Sequence, residues 1–173
     1  SDDTTYYLGH YILENSNNSD KFEIVDGQQR ISTVYLFLLV CGYLKEVNYI
    51  NEIYFSPVTY DLEGLEAIKT ILSKKEDVDI ELGKLLENSK TSSLKRMIEA
   101  ISLFKEAFSS SKKSAALLNV NDIANYIQII NKSYCSVAIF KDKSVASQIF
   151  ELHNTRGIKL TETEKVKALL MKN

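Results

Sequence analysis

The run Phe22–Thr33, with the sequence Phe-Glu-Ile-Val-Asp-Gly-Gln-Gln-Arg-Ile-Ser-Thr, is the feature that most constrains the fold of this chain. Four strand-like residues lead into an Asp26-Gly27 turn. The residues from Gln28 onward begin a stretch so apolar that we predict a buried helix. A strand, a glycine turn and a helix start bring together free backbone N–H groups and the positive end of a helix dipole. The run therefore predicts an anion-binding corner.

Arg30 is the residue of this corner that we expect to contact the anion most directly. Its planar guanidinium presents a fork of donors that suits phosphate or carboxylate. Gly27 lets a phosphate approach the backbone closely, whereas Gln28 and Gln29 can each donate to or accept from a base, a ribose or phosphate oxygens. Ser32 adds a hydroxyl to the same turn, although it could instead face a neighbouring helix.

Asp26 has two possible roles. It could cap the helix by accepting a bond from a backbone N–H near Gln28 or Gln29, which is the commoner role of a lone Asp-Gly pair. A carboxylate beside an anion-binding turn could also hold a divalent metal or orient a water for attack on phosphate. The sequence leaves both roles open.

Three segments of the chain resemble a known family. Asp26-Gly-Gln-Gln-Arg30 is the unaltered signature of the DGQQR family, the domain of unknown function 262, which includes the N-terminal half of the GmrSD modification-dependent restriction enzymes. Phe150–Gly157 with Leu160 is similar to that family's F-x-x-x-N-x-R-G-x-x-L segment. Tyr7-Leu8-Gly9 resembles its Y-F-L-G strand, so the resemblance extends from Tyr6 to about Leu170.

This resemblance implies a ParB/sulfiredoxin-like corner that binds and hydrolyses a nucleoside triphosphate, GTP or another, with a divalent metal such as Mg²⁺. It implies an NTPase within a restriction or phage-defence protein. Nucleotide turnover would license DNA cleavage by a nuclease domain or subunit outside this segment. The alternative is a non-catalytic module without nucleotide turnover. Such a module would use the same corner to hold a DNA phosphate, or it would have a regulatory role. The family's aromatic segment before the first strand is missing, so this piece could also be inactive alone.

The second matching segment supplies further candidates for the phosphate site. Asn154 and Arg156 have the chemistry for another polar and cationic contact. Their structural alternatives are equally good, because Asn154 can satisfy backbone groups and a helix dipole favours Arg156 at a C-terminus. Lys167, one turn into the next helix, is a weaker candidate for the same pocket.

Size and composition suit a single domain of 173 residues, with a helical insertion or subdomain over 61–132, and the ends suggest a fragment of a longer protein. A net charge of -2 argues against a strongly basic nucleic-acid surface. The longest apolar run is too short to span a bilayer, and there is no secretory signal, so we expect a cytoplasmic protein without membrane contact. Cys41 and Cys135 both lie in apolar runs and are predicted to be buried thiols. No Cys/His metal cluster is recognisable.

The pattern of apolar residues predicts an α+β fold, with a small mixed sheet of about three strands and a helix-rich remainder. Strands are expected at 6–13, 22–25 and 134–140, and helices at 28–47 and around 62–72, 94–108 and 123–130. We expect 74–93 to be an exposed connection. A further helix should end at Arg156-Gly157 with Val145, Ile149 and Leu152 on its inner face, and a capping box at Thr161–Glu164 should open the last helix.

Overall fold

The structure is a computed structural model that describes residues 5–15, 20–49, 55–57, 61–109 and 118–157, with side chains as far as Leu152. The chain divides into two compact units, one built from Ser1–Tyr6 and Gln29–Lys132 and the other from Tyr7–Gln28 and Ser133–Asn173. The first is the helical unit and the second is the sheet unit. Together they confirm the α+β class predicted from the sequence.

In the described residues, the sheet unit contains three strands in the order β2-β1-β3. Strand β1 (Tyr7–Glu14) pairs antiparallel with β2 (Glu23–Asp26) and parallel with β3 (Tyr134–Phe140). The sheet is therefore mixed, as predicted, and β1 is its central strand. The predicted strand bounds agree to within one residue.

Helix α6 (Lys143–Gly157) packs against all three strands of the sheet unit. Asp142 begins it by accepting a bond from the backbone N–H of Ser144 at 2.8 Å. The Lys143 ammonium donates to Glu23 Oε2 of β2 at 3.0 Å, and this bond raises the pKa of Lys143. The end predicted for this helix at Arg156-Gly157 stays a prediction, because the described residues stop at Gly157.

The predicted inner face of α6 is wrong. Val145 and Leu152 are exposed, whereas Ala146 is fully buried. A small side chain at this position lets the helix approach the sheet closely, so a stripe of large apolar residues is not what faces the strands. The capping box predicted at Thr161–Glu164 lies outside the described residues.

The helical unit is built from helices that share one apolar core. Helix α1 (Gln28–Lys45) runs through it, and a 3-10 turn (Val120–Asp122) precedes the last helix. The other helices are α2 (Leu62–Lys74), α3 (Val78–Asn88), α4 (Ser92–Phe108) and α5 (Ile123–Lys132). The stripe predicted for α4 is confirmed, because Leu94, Met97, Ile98, Ile101 and Phe108 are all buried.

One detail of the helical unit corrects the predictions. Residues 74–93 are not an exposed connection, because α3 buries Val78 and Leu82, one turn apart, while its charged residues occupy the other faces. Before α5, Asn119 caps the 3-10 turn, since its side chain accepts from the backbone N–H of Asn121 at 2.9 Å.

The two cysteines differ in their environment, which contradicts half of the prediction. Cys41 is fully buried in the helical core, but Cys135 is exposed on β3. Strand β3 lies at the edge of the described sheet, and most of its side chains are exposed although the strand is apolar. Apolar composition alone does not distinguish an edge strand from a covered one.

We expect the two thiols to react at very different rates with a disulfide reagent such as DTNB. Burial raises the pKa of the Cys41 thiol to about 11, so almost none of it is thiolate at pH 8. One thiol should react rapidly in the native protein and the second only after unfolding. The variant Cys135→Ser should lack the rapid phase, and a rapid phase that persists would contradict the assignment.

The raised pKa of Cys41 also sets a pH dependence. The folded protein holds this proton more tightly than the unfolded chain, in which a thiol has a pKa of about 8.5. The stability that the buried neutral thiol contributes is therefore fully present below about pH 8.5. It is lost as the pH rises towards 11. In Cys41→Ala this part of the alkaline loss should disappear from urea titrations between pH 8 and 10.

Candidate functional site

Strand β2 and helix α1 meet at a corner formed by a single linking residue. Strand β2 ends at Asp26 and α1 begins at Gln28, so Gly27 alone makes the connection. Its φ of 94° lies in the left-handed region that favours glycine, and the residue is buried. The strand, glycine and helix start that the sequence predicted are therefore present.

The ring of Tyr11 occupies the space beside the α-carbon of Gly27. A Cβ placed on Gly27 would lie 2.2 Å from Tyr11 Cδ1 and 2.7 Å from Cε1. Tyr11 belongs to the central strand β1 and is itself buried. The missing side chain of Gly27 therefore has a packing role that the sequence did not indicate. A ligand can reach this glycine only from a side that Tyr11 does not fill.

The carboxylate of Asp26 accepts a bond from the backbone N–H of Gly27 at 2.8 Å, through Oδ1. The donor is one residue earlier than the predicted capping partners, Gln28 or Gln29. The N–H of Gly27 therefore serves Asp26, so an anion at this corner would be bound by the N–H groups that follow, in the first turn of α1.

Gln28 lies at the start of α1 with its side chain turned back to the sheet. Its Nε2 donates to the backbone carbonyl of Ile24 at 2.6 Å, which anchors the first residue of the helix to β2. Gln28, Gln29 and Arg30 are all exposed, and Ser32 is half-buried. The polar side chains predicted to contact a ligand are thus accessible at the helix start.

The first turn of α1 has an unusual charge for a helix N-terminus. It contains no acidic residue and carries Arg30. The dipole of a helix favours anions at this end and disfavours cations, typically by about 0.3–1 kcal/mol for an exposed group. A bound anion would therefore stabilise both the helix terminus and the arginine beside it.

The residues of the second motif lie on α6 or beyond it. Asn154 and Arg156 lie within the Lys143–Gly157 range of α6, but their side chains are outside the described part. Lys167 lies outside the described residues altogether. Their predicted contribution to the phosphate site stays a prediction.

Two other features are lacking from the described part of the chain. There, no group of three or more His, Cys, Asp or Glu side chains could hold a metal ion. No helix among those residues is long and apolar enough to cross a membrane. His10 is exposed on the central strand β1.

A tyrosine pair on the sheet is the feature that the sequence did not reveal. The rings of Tyr7 and Tyr134 lie with centroids 5.2 Å apart and planes at 36°. About half of each side chain is exposed, 50% for Tyr7 and 57% for Tyr134. Both tyrosines lie in the sheet, and only the glycine within β1 indicates an irregular strand in the sequence.

The chain matches the family model described as "GmrSD restriction endonuclease, N-terminal domain" over residues 2–171. No curated protein and no solved structure matches it. The ParB/sulfiredoxin-like architecture of the corner therefore stays a prediction.

Proposed function

Because the chain belongs to the family of GmrSD restriction endonuclease N-terminal domains, we propose that it binds and hydrolyses a nucleoside triphosphate at the β2–α1 corner. Membership associates the chain with restriction. Nucleotide chemistry is our extension, and its main support is the first turn of α1, which follows the Gly27 turn and carries Arg30 without any acidic residue. This combination suits a polyphosphate, which has several negative charges and many acceptor oxygens.

Each residue of the corner has a defined task in this proposal. The backbone N–H groups of the first turn of α1 bind phosphate oxygens, and Arg30 neutralises the charge that they carry. Gln28 is fixed to β2 by its bond to Ile24, so its side-chain amide is held in a defined place at the corner. Gln29 and Ser32 offer further donors, and Asn154, Arg156 and Lys167 are proposed to complete the site from the C-terminal segment.

Asp26 is the proposed acidic residue of the reaction. Hydrolysis forms a bond between a water oxygen and the γ-phosphorus and breaks the bond to the bridging oxygen. The water loses a proton, which a carboxylate can accept. A divalent metal such as Mg²⁺ fits the same residue, because Mg²⁺ is commonly held by one or two carboxylates together with substrate phosphates. It would supply charge neutralisation of the phosphates.

The substitution Arg30→Ala tests the proposal. We expect it to abolish measurable binding of GTP and ATP, in calorimetric titrations with MgCl₂, and to leave the thermal unfolding midpoint nearly unchanged, since Arg30 is exposed. Arg30→Lys should bind weakly, because an ammonium keeps the charge but not the guanidinium fork.

Arg96→Ala is the matched control, since Arg96 is an exposed arginine of α4, away from the corner in sequence. It should bind like the unaltered chain. If Arg30→Ala binds GTP and ATP as tightly as the unaltered chain does, the proposal is contradicted. Phosphate release distinguishes hydrolysis from binding. DNA affinity that falls steeply with salt, without nucleotide turnover, would instead identify a DNA-phosphate-binding module.

A further inference from the structure

Strand β3 is an edge strand that lacks the usual protection against other chains. Within the described part of the chain, it pairs with β1 on one side and with no strand on the other. Its seven residues, Tyr134–Phe140, include no charged residue, no proline and no glycine. Natural edge strands are commonly protected by charges, by prolines or by being very short. An unprotected apolar edge of this length therefore indicates a partner strand.

The opposite edge of the sheet has the protection that β3 lacks. Strand β2 has only four residues, and two of them are the acidic Glu23 and Asp26. Along β3, by contrast, all side chains from Tyr134 to Ile139 are exposed. About half of each large apolar side chain is open to solvent, with 57% for Tyr134, 49% for Val137 and 55% for Ile139. A second strand beside β3 would cover part of the surface that β1 leaves open.

The backbone of β3 determines which residues can bond to a further strand. The carbonyl oxygen of Phe140 accepts from the backbone N–H of Asn15, so Phe140 directs its backbone groups towards β1. Successive residues of a strand direct their N–H and C=O groups to opposite sides. Cys135, Val137 and Ile139 therefore direct their backbone donors and acceptors to the open edge.

We propose that β3 pairs antiparallel with β3 of a second copy of this chain, with Val137 on the two-fold axis. Both copies then use the same surface, so the contact closes as a dimer and does not extend into a fibre. In this register Cys135 lies opposite the partner's Ile139. The residues that face the edge in one copy meet those of the other, so each opposed pair exchanges two backbone hydrogen bonds.

The same register matches the side chains of the two strands. Val137 meets its own counterpart, and Ser136 lies opposite the partner's Ala138, so residues of similar size are paired. Tyr134 lies opposite the partner's Phe140, which gives an aromatic pair at each end of the interface. No like charges meet, because the strand has no charged residue. It is also the register in which every residue of β3 has a partner.

The substitution Val137→Lys tests the interface, because it would place two ammonium groups opposite each other on the two-fold axis. In sedimentation equilibrium we expect the unaltered chain to have twice the 19.7 kDa of one chain. Val137→Lys should have the mass of one chain at the same concentration. Ile80→Lys is the matched control and should stay dimeric, since Ile80 is a similarly exposed β-branched residue of α3. Far-UV circular dichroism should be unchanged in both variants.

A disulfide cross-link tests the register. In Ile139→Cys the introduced thiol lies opposite the partner's Cys135, at a Cα separation of about 5.5 Å that suits a disulfide. Mild oxidation should therefore give a covalent dimer. The unaltered chain should not form one, because its two Cys135 residues are offset by roughly 13 Å along the strands. Ile139→Cys combined with Cys135→Ser should not form one either, since its two introduced thiols have the same offset.

The possible results support or overturn this inference independently of nucleotide binding. A dimer that Val137→Lys dissociates and Ile139→Cys cross-links supports it. If the unaltered chain keeps the mass of one chain up to about 100 μM, the inference is overturned, and another segment or a different protein covers β3. A dimer that persists in Val137→Lys would also overturn it, because the interface would lie elsewhere. Cross-linking of the unaltered chain through Cys135 would contradict the register.

Discussion

Replacing Gly27 with alanine is expected to destabilise the protein by about 2–5 kcal/mol, the sum of two separate costs. A non-glycine residue at φ of 94° adopts a backbone conformation that L side chains rarely occupy. The new methyl group would also lie 2.2 Å from Cδ1 of Tyr11, a buried ring that has to move to admit it. Urea denaturation followed by circular dichroism measures the loss.

Gly83→Ala is the matched control for this substitution. Gly83 lies within α3, and a Cβ added there meets nothing within 4 Å. Alanine at an open helical position is expected to stabilise by about 0.5–1 kcal/mol. The two glycine-to-alanine substitutions should therefore change the free energy of unfolding in opposite directions. If Gly27→Ala were as stable as the unaltered chain, the packing of Tyr11 on this turn would be refuted.

Asp61→Ala is expected to destabilise the helical unit by about 2–4 kcal/mol, since hydrogen bonds to a charged group are the stronger kind. Asp61 precedes α2 and is almost fully buried, with 1% of its surface exposed. Its Oδ1 accepts from the Thr91 hydroxyl at 2.5 Å and its Oδ2 accepts from the Ser93 hydroxyl. Alanine would leave both hydroxyls without this acceptor.

The bonds of Asp61 connect the starts of two helices. Thr91 also caps α4, because its Oγ1 accepts from the backbone N–H of Leu94 at 3.2 Å. The carboxylate therefore holds the α2 start against a capped α4 start. A double-mutant cycle with Ser93→Ala should give a coupling of about 0.5–3 kcal/mol. Asp20→Ala, at an exposed bend, should change stability little. Additive losses for Asp61 and Ser93 would contradict the connection.

Periodicity predicted the elements of this fold better than their surroundings. The stripe of α4 and the apolar run of β3 each gave the correct element, because hydrophobic spacing follows directly from helix and strand geometry. The burial of Cys135 was mispredicted because an edge strand and a central strand can have the same composition. Helix α3 was missed because its charges and neighbouring serines obscured Val78 and Leu82.

In the candidate site, too, the local elements were predictable and the contacts around them were not. The sequence of the corner indicated the strand, the glycine turn and the helix start, since each depends on local chemistry. The packing of Tyr11 on Gly27 depends on strand register, and the ring pair depends on a bulge that joins residues far apart in the chain. Local patterns carry no information about either contact.

The sheet unit draws its strands from distant parts of the chain, and this determines the order in which it can form. The bond between Tyr7 and Ser136 joins residues that are 129 positions apart. During synthesis, the hairpin of β1 and β2 emerges first, but two strands alone are marginally stable in water. Helices α1 to α5 rest on shorter-range contacts and can pack before β3 is made. The tyrosine pair is therefore among the last features to assemble, because it requires β3.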